Sequence, residues 1–253
     1  MAADAETEVK KSTTREYYEA LLIAIIFVNF ARIFVFQAFK IPSPSMEDNL
    51  KVGDHLIVNK FIYGPPDSVL GRLVPIRDID RGDIIVFRFP ENPDQDYVKR
   101  VIGLPGDTIE IRDKKVIING RPLDEPYIIS VDPATVPAHS SPRLPEPWRS
   151  RDQMQPKKIP PGEYFAMGDN RDQSADSRYW GNVPRGLIKG RPFMVYWSYE
   201  GAPPPAGSGF AAYARSLGRV FLNFFTKTRW HRMFFIVDSK YHYTPGIESY
   251  GHH

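Results

Sequence analysis

Three short runs of this 253-residue chain hold side chains whose types and spacing could do chemistry. The first is IPSPSM, Ile41 to Met46, where Ser43 and Ser45 flank Pro44. The proline ring fixes φ, so the turn is stiff and presents two hydroxyls together. A serine hydroxyl becomes a nucleophile only with a base in reach. The second run, DYVKRVIGLPGD from Asp96 to Asp107, can supply one. As a strand it alternates, with Tyr97, Lys99 and Val101 on one face and Val98, Arg100 and Ile102 on the other. Burying Lys99 between an aromatic and an aliphatic neighbour disfavours its ammonium form, lowers its pKa and makes the amine a usable general base near neutral pH. The third run, MGDNRDQSADSRYWG from Met167 to Gly181, crowds Asp169, Arg171, Asp172, Asp176 and Arg178 around Ser174 and Ser177. Short polar side chains at that density can orient a base or brace a site. Each run also has an ordinary reading: a turn, an edge lysine in water, a salt-bridged loop.

Other chemistries lack their residues. The chain has no cysteine, which excludes a thiol nucleophile, Cys-ligated zinc and a disulfide framework. The patterns GxxxxGK[ST], HExxH and GxSxG are absent, as is a serine followed three residues later by lysine. The six histidines, His55, His139, His231, His242, His252 and His253, give no support to a Ser-His-Asp triad. A balance of 33 basic against 30 acidic residues, with no basic block interleaved with aromatics, argues against nucleic acid as a partner.

The elements that must position the three runs are a hydrophobic anchor and a body of strands. Residues Ala20 to Phe39, ALLIAIIFVNFARIFVFQAF, have only Asn29, Arg32 and Gln37 as polar positions. About 20 helical residues cross the ~30 Å hydrocarbon core, so this stretch reads as an uncleaved transmembrane helix behind a short tail, residues 1–19. Phe34, Phe36 and Phe39 stand where a cleavage site would need small residues. Lys10, Lys11 and Arg15 on one side and Arg32, Lys40 and Lys51 on the other leave its orientation undecided by charge. The runs HLIVNKFIYG, DIIVFRF, DTIEIRDKKVIING, EYFAM and FMVYWSY, separated by turn residues, indicate a mostly antiparallel β body over residues 40–200. The chain carries 24 prolines, about twice the usual ~5%. Eight of them fall between Ser130 and Pro161, which reads as an irregular surface insertion. Gly201 to Gly209 reads as a linker, and FAAYARSLGRVFLNFF after it as a short helix lying on the membrane or on the body, within an extension over residues 201–253.

Taken together, in this order behind an anchor, the three runs resemble the boxes of type I signal peptidases, membrane-bound serine proteases that remove signal peptides from exported preproteins. IPSPSM is similar to the nucleophile box, RGDIIVFRFPENPDQDYVKRVIGLPGD to the lysine box, and MGDNRDQSADSRYWGNVP to the late box. The resemblance extends from about Phe39 to Ser198 and fades beyond it. It implies a Ser/Lys dyad with Ser45 as nucleophile and Lys99 as general base. It further implies Ser43 as an oxyanion donor, Ser174 as the residue that aims the lysine, and Asp176 with Arg178 as structural support. Shallow pockets for the small residues of an Ala-x-Ala sequence would be formed by Phe39, Ile41, Pro42, Met46, Leu50, Leu56, Asp96, Tyr97 and Val98. The implied fold is the family's β catalytic body with an apolar, membrane-associated surface. Its implied place is the outer, periplasmic side of the cytoplasmic membrane, on a single-pass anchor. The implied partners are signal-peptide-bearing preproteins and the lipid bilayer, with no metal or organic cofactor. Nothing in the sequence asks for an obligate protein partner, so the expected state is monomeric.

The chain departs from the family pattern after the nucleophile, with Met46-Glu47-Asp48-Asn49-Leu50 where members often have Met-x-Pro-Thr. Carboxylates pointing inward there would raise the pKa of Lys99, and they are expected to point outward. Pro44 and Gln173 are milder departures. Two other readings stay open: a self-cleaving repressor-type Ser/Lys protease, which would carry a DNA-binding domain in place of the anchor, and a silent tethered binding protein.

Overall fold

The computed structural model describes residues 13–30, 36–47, 49–64, 76–129, 132–136, 151–201 and 209–237. Within these the runs of alternating or continuous apolar residues become strands, as expected. The central one is β3 (Ile84–Phe89), whose unbroken IIVF is buried because both faces are covered. Ile84 and Val86 enter one apolar cluster, while Ile85 and Phe87 enter a second. Around it lie β1 (Phe36–Lys40), β2 (Asp54–Asn59), β4 (Asn92–Gly103), β9 (Glu163–Met167), β10 (Val183–Pro184) and β11 (Ile188–Ser198), in the order β1-β2-β11-β3-β4-β9-β10. The pair β12 (Phe235–Ile236) joins β11. A second antiparallel sheet has the order β7-β6-β5-β8, from β5 (Thr108–Arg112), β6 (Lys115–Ile118), β7 (Arg121–Pro122) and β8 (Met154–Lys158). It covers a third cluster built on Ile102, Ile109, Ile118, Phe165 and Met167.

Three expectations need correction. The apolar stretch Ala20–Phe39 is not one helix: the helix covers Thr13–Phe30, and Phe36–Lys40 is β1, in register with β2 from Phe36–Asn59 to Lys40–His55. Its alternating FQAFK satisfies its backbone in the sheet, which a continuing helix would not allow. No helix among the described residues is long and apolar enough to cross a membrane. Asn29, a polar group in that helix, donates to the Ile25 carbonyl one turn back. The insertion also ends earlier than Pro161. Arg151 and Asp152 are buried as an ion pair, β8 pairs with β5, and Ile159 is in the core, so the body resumes at residue 151. Residues 137–150 lie outside those described.

The described part of the extension, residues 209–237, is attached to the body. Its helix Phe210–Leu222 is followed by a single turn, Phe224–Lys227, and then by β12. Val237 packs in the first cluster with Ile41, Met46 and Leu50.

Candidate active site

The nucleophile candidate stands on a single 3-10 turn, Pro44–Met46, that Pro44 starts and that the Glu47 amide closes onto the Pro44 carbonyl. This turn packs against β4, which carries Lys99. Lys99 Nζ and Ser45 Oγ are 2.6 Å apart, and both residues are buried, at 4% and 5% exposure. Ser43 Oγ is 3.3 Å from Ser45 Oγ. The Tyr97 ring faces the amine, with Nζ 5.5 Å from the ring centre.

Burial is the largest influence on Lys99 and draws its pKa down from 10.5 to about 8; Asp176 and Asp169 pull it upward, and Arg178 downward. An amine with that pKa is neutral in a useful fraction near physiological pH and can accept a hydroxyl proton. Among the described residues the carboxylates acting on it, Asp176 and Asp169, both belong to the late run. Glu47 is exposed, as expected, and Asp48 lies outside the described residues.

The late run forms a frame behind the dyad. Arg178 is held by Asp176 through Nε–Oδ1 and Nη2–Oδ2 contacts, both 2.8 Å, and donates to the carbonyls of Arg151 and Arg171. Burial works against both charges, but each outweighs that cost for the other: Asp176 is held below the usual carboxylate range and Arg178 above its ordinary value. Gly168 is where the frame touches the nucleophile. A Cβ there would stand 2.3 Å from Ser174 Oγ and 2.5 Å from the Ser45 carbonyl, so only glycine fits. Next to it, the Asn170 amide donates to that same carbonyl at 3.1 Å.

Ser174 is buried in this frame, but no hydrogen bond joins it to Lys99. Its hydroxyl makes no well-formed hydrogen bond, although it is close enough to Asp176 to favour the ionised carboxylate.

A cleft of about 370 Å³ opens over the dyad. Its walls include Phe39, Ile41, Pro42, Met46, Asp96, Tyr97 and Val98, together with Ser43, Ser45 and Lys99. Two expected wall residues are elsewhere: Leu50 and Leu56 are fully buried in the first cluster, behind Ile41 and Met46, and are not part of the lining. Gln95, Gln173 and Ala175 line the cleft and were not singled out from the sequence as pocket residues. Their positions one or two residues from Asp96 and Ser174 are the signal that could have found them.

A family described as signal peptidase, peptidase S26, matches residues 14–197. The chain belongs to the S26 signal peptidase family. Signal peptidase I of Pseudomonas aeruginosa is 37% identical over 223 residues, covering 79% of this chain and 77% of that protein. Signal peptidase I of Bacillus caldolyticus is 36% identical over 178 residues, covering 70% of this chain and 88% of its own. A crystal structure of a signal peptidase I from Enterococcus faecalis, 35% identical, covers 46% of this chain and 97% of its own with a TM-score of 0.34. As a member of this family the chain is a serine peptidase, which removes the silent binding protein as a reading. A helix over Thr13–Phe30 stands where the repressor-type reading would need a DNA-binding domain.

The family's boxes drew the sequence reading to the dyad, but a second buried pair beside it was missed. Arg100 grips Asp169 in fork geometry, at 2.8 and 2.7 Å, and lies over the Tyr127 ring. Asn49 donates to the same carboxylate at 2.8 Å. The neighbour relation Lys99–Arg100 was on view in the strand, but its partner is 69 residues away and no spacing reveals it.

Proposed function

We propose that this chain is a membrane-bound endopeptidase that removes N-terminal signal peptides from exported preproteins after small residues, with Ser45 as nucleophile and Lys99 as base. The observation that carries this reading is the buried 2.6 Å contact between Lys99 Nζ and Ser45 Oγ at the floor of an open cleft.

The chemistry follows from the geometry. Neutral Lys99 takes the Ser45 proton as Oγ attacks the scissile carbonyl carbon, and the carbonyl π pair moves to oxygen. The resulting oxyanion accepts from the Ser45 amide and the Ser43 hydroxyl. Collapse breaks the C–N bond, and the proton on Lys99 passes to the departing amine, leaving an ester on Ser45. A water, deprotonated by Lys99, then attacks that ester, and Lys99 returns the proton to Oγ. Ser174 keeps Lys99 on course through packing beside Gly168, with Asp176 and Arg178 holding the frame.

The substrate would lie extended in the cleft. Strand β4 pairs with β3 along Asp96–Val98, but its pairing with β9 begins only at Arg100, so one edge of Asp96–Val98 has no strand partner among the described residues. A peptide can add there as a strand and direct alternate side chains into the walls. The walls are close to the dyad and favour small side chains, as an Ala-x-Ala sequence has.

Membrane attachment rests on two apolar surfaces. The Thr13–Phe30 helix exposes Leu21, Ile23, Ile26 and Phe27, and the C-terminal helix and turn expose Phe221, Leu222 and Phe225. Exposed apolar surface of this kind suits a lipid phase better than water. In this reading these apolar surfaces hold a monomeric body on the outer face of the cytoplasmic membrane, where preproteins emerge.

The test is cleavage of a preprotein bearing an Ala-x-Ala site by the detergent-solubilised protein. Cleavage after the second Ala, lost in Ser45→Ala and Lys99→Ala, is the expected result. Full cleavage by either variant would overturn the assignment.

A further inference from the structure

The matched family segment ends at residue 197, yet a buried polar cluster joins the chain beyond it to the loop that follows Ser45. At its centre is Asp54, fully buried, which accepts from the Lys51 amide (2.8 Å), Ser198 Oγ (2.6 Å) and Arg232 (Nη2 2.6 Å, Nε 3.2 Å). The same Arg232 Nη2 donates to the Asn49 carbonyl at 2.8 Å, and Arg229 donates to the Val52 carbonyl at 2.6 Å. The other side of the loop is held by the late run, through Asn49 to Asp169 and through the Asn170 amide to the Ser45 carbonyl.

The loop needs these grips. Between the Pro44–Met46 turn and β2, two local backbone bonds, from the Leu50 amide to the Met46 carbonyl and from the Asp54 amide to the Lys51 carbonyl, brace the loop, main-chain bonds tie Gly53 to Ile41 and Tyr199, and among the described residues no strand pairs with it. Its glycine, Gly53, has φ +91 and passes so close to the Tyr199 carbonyl that a Cβ would lie 2.0 Å from it, so the returning chain is pressed against this loop. Cα positions on an unpaired loop are fixed by whatever binds its carbonyls. A guanidinium can serve a carboxylate and a carbonyl together because its donors form a planar fork, whereas an ammonium is a single point.

We propose that Arg232 is a positioning residue: by binding Asp54 and the Asn49 carbonyl at once, it fixes the Met46–Gly53 loop and thereby sets Ser45 Oγ against Lys99. Ser198 and the stretch around Arg229 and Arg232 are then part of the working site and not an accessory. This inference rests on Ser45 and Lys99 being the reacting pair. Misplacement of a reacting atom by about 1 Å costs on the order of 100-fold in rate, so a loosened loop should act on kcat.

The experiment compares full-length wild type, Ser45→Ala, Arg232→Lys and Arg232→Gln on a peptide with an Ala-x-Ala site, across pH. In Arg232→Gln, kcat should fall on the order of 10- to 100-fold with KM within about twofold, because the cleft walls do not include Arg232. The basic limb of the pH profile should stay where wild type has it, since Arg232 is not among the groups acting on Lys99. Arg232→Lys should recover part of the loss. Wild-type kcat in a folded Arg232→Gln, or a rise in KM at constant kcat, would overturn the proposal. So would failure of both arginine variants to fold, which would make the cluster a requirement of folding. Activity in Ser45→Ala would instead defeat the reading of the dyad itself, whatever the arginine variants do.

Discussion

Lys99 and Arg178 are two cations buried to nearly the same depth in one site, at 4% and 7% exposure, and they are treated in opposite ways. Arg178 is surrounded by acceptors: both oxygens of Asp176 and two main-chain carbonyls. Lys99 has a serine hydroxyl and an aromatic face, and among the described residues no carboxylate lies within ion-pair distance of it. Desolvation penalises both, but only in Arg178 is it repaid by contact with an anion. One cation is therefore locked in its charged form and serves as a strut. The other has its pKa drawn down to about 8, so it can give and take a proton near neutral pH.

The comparison is broken most directly at Lys99. Lys99→Met keeps the length and apolar stem and removes the proton acceptor, so cleavage should fall on the order of 10⁴-fold or more, as for loss of a member of a catalytic unit. Steady-state turnover of the peptide substrate measures it, and the folded variant should still bind substrate. Residual activity within tenfold of wild type would mean that Lys99 is packing and not chemistry.

The reciprocal change, Arg178→Met, should damage the fold and not only the rate. It strands Asp176 as a buried carboxylate without its cation, at a cost of about 3–5 kcal/mol. Urea unfolding should report that loss, and activity should decline with the folded fraction. A variant of unchanged stability would show that Asp176 and Arg178 are not the strut described.

How much of this could be read from the residues differs between the two cations. Lys99 was legible because strand alternation put it between Tyr97 and Val101, and because the resemblance to the family joined it to Ser45 across 54 positions that no local pattern spans. The Asp176–Arg178 pair was legible as two neighbours in one run. Arg100 and Asp169, Asn49 and Asp169, and Asp54 and Arg232 were not, since long-range pairing leaves no periodic trace in sequence. The β class followed from turn residues and alternation, but the joint between helix and sheet did not. Residues 20–39 are apolar but for Asn29, Arg32 and Gln37, and hydrophobicity alone does not tell a helix from the strand Phe36–Lys40, whose identity depends on its partner β2. Proline density likewise overstated the insertion: Pro156, Pro160 and Pro161 belong to the body, with Pro156 in β8 on the outer edge of its sheet, where a missing donor costs little.

Ser43 sharpens the comparison from the side of the oxyanion. Its hydroxyl is placed beside Ser45 and adds a donor without adding charge, so Ser43→Ala should lower kcat on the order of 10²–10³-fold and leave KM near wild type. The pH profile should keep its shape, because Lys99 is not altered. A shift of the profile would show that Ser43 acts through the base.

The smallest effect is the most diagnostic of how Lys99 is held. With its pKa at about 8 in the fold and near 10.5 when the chain is unfolded, the rate should rise tenfold per pH unit below 8 and level off above it. Stability follows the same numbers with a definite sign. Below pH 8 both states carry the proton, and the fold bears the full cost of a buried ammonium, about 3 kcal/mol. Between 8 and 10.5 the folded protein has released it while the unfolded chain retains it, so stability rises through that window, and above 10.5 the cost is gone. Lys99→Met removes the cost at every pH. The inactive variant should therefore be more stable than wild type by about 3 kcal/mol at pH 7, with the advantage shrinking as the pH passes from 8 towards 10.5. Denaturation midpoints at pH 7 and pH 10 measure this. An equal advantage at both would mean that the gain came from packing and that the amine is not held in a desolvated, readily deprotonated state.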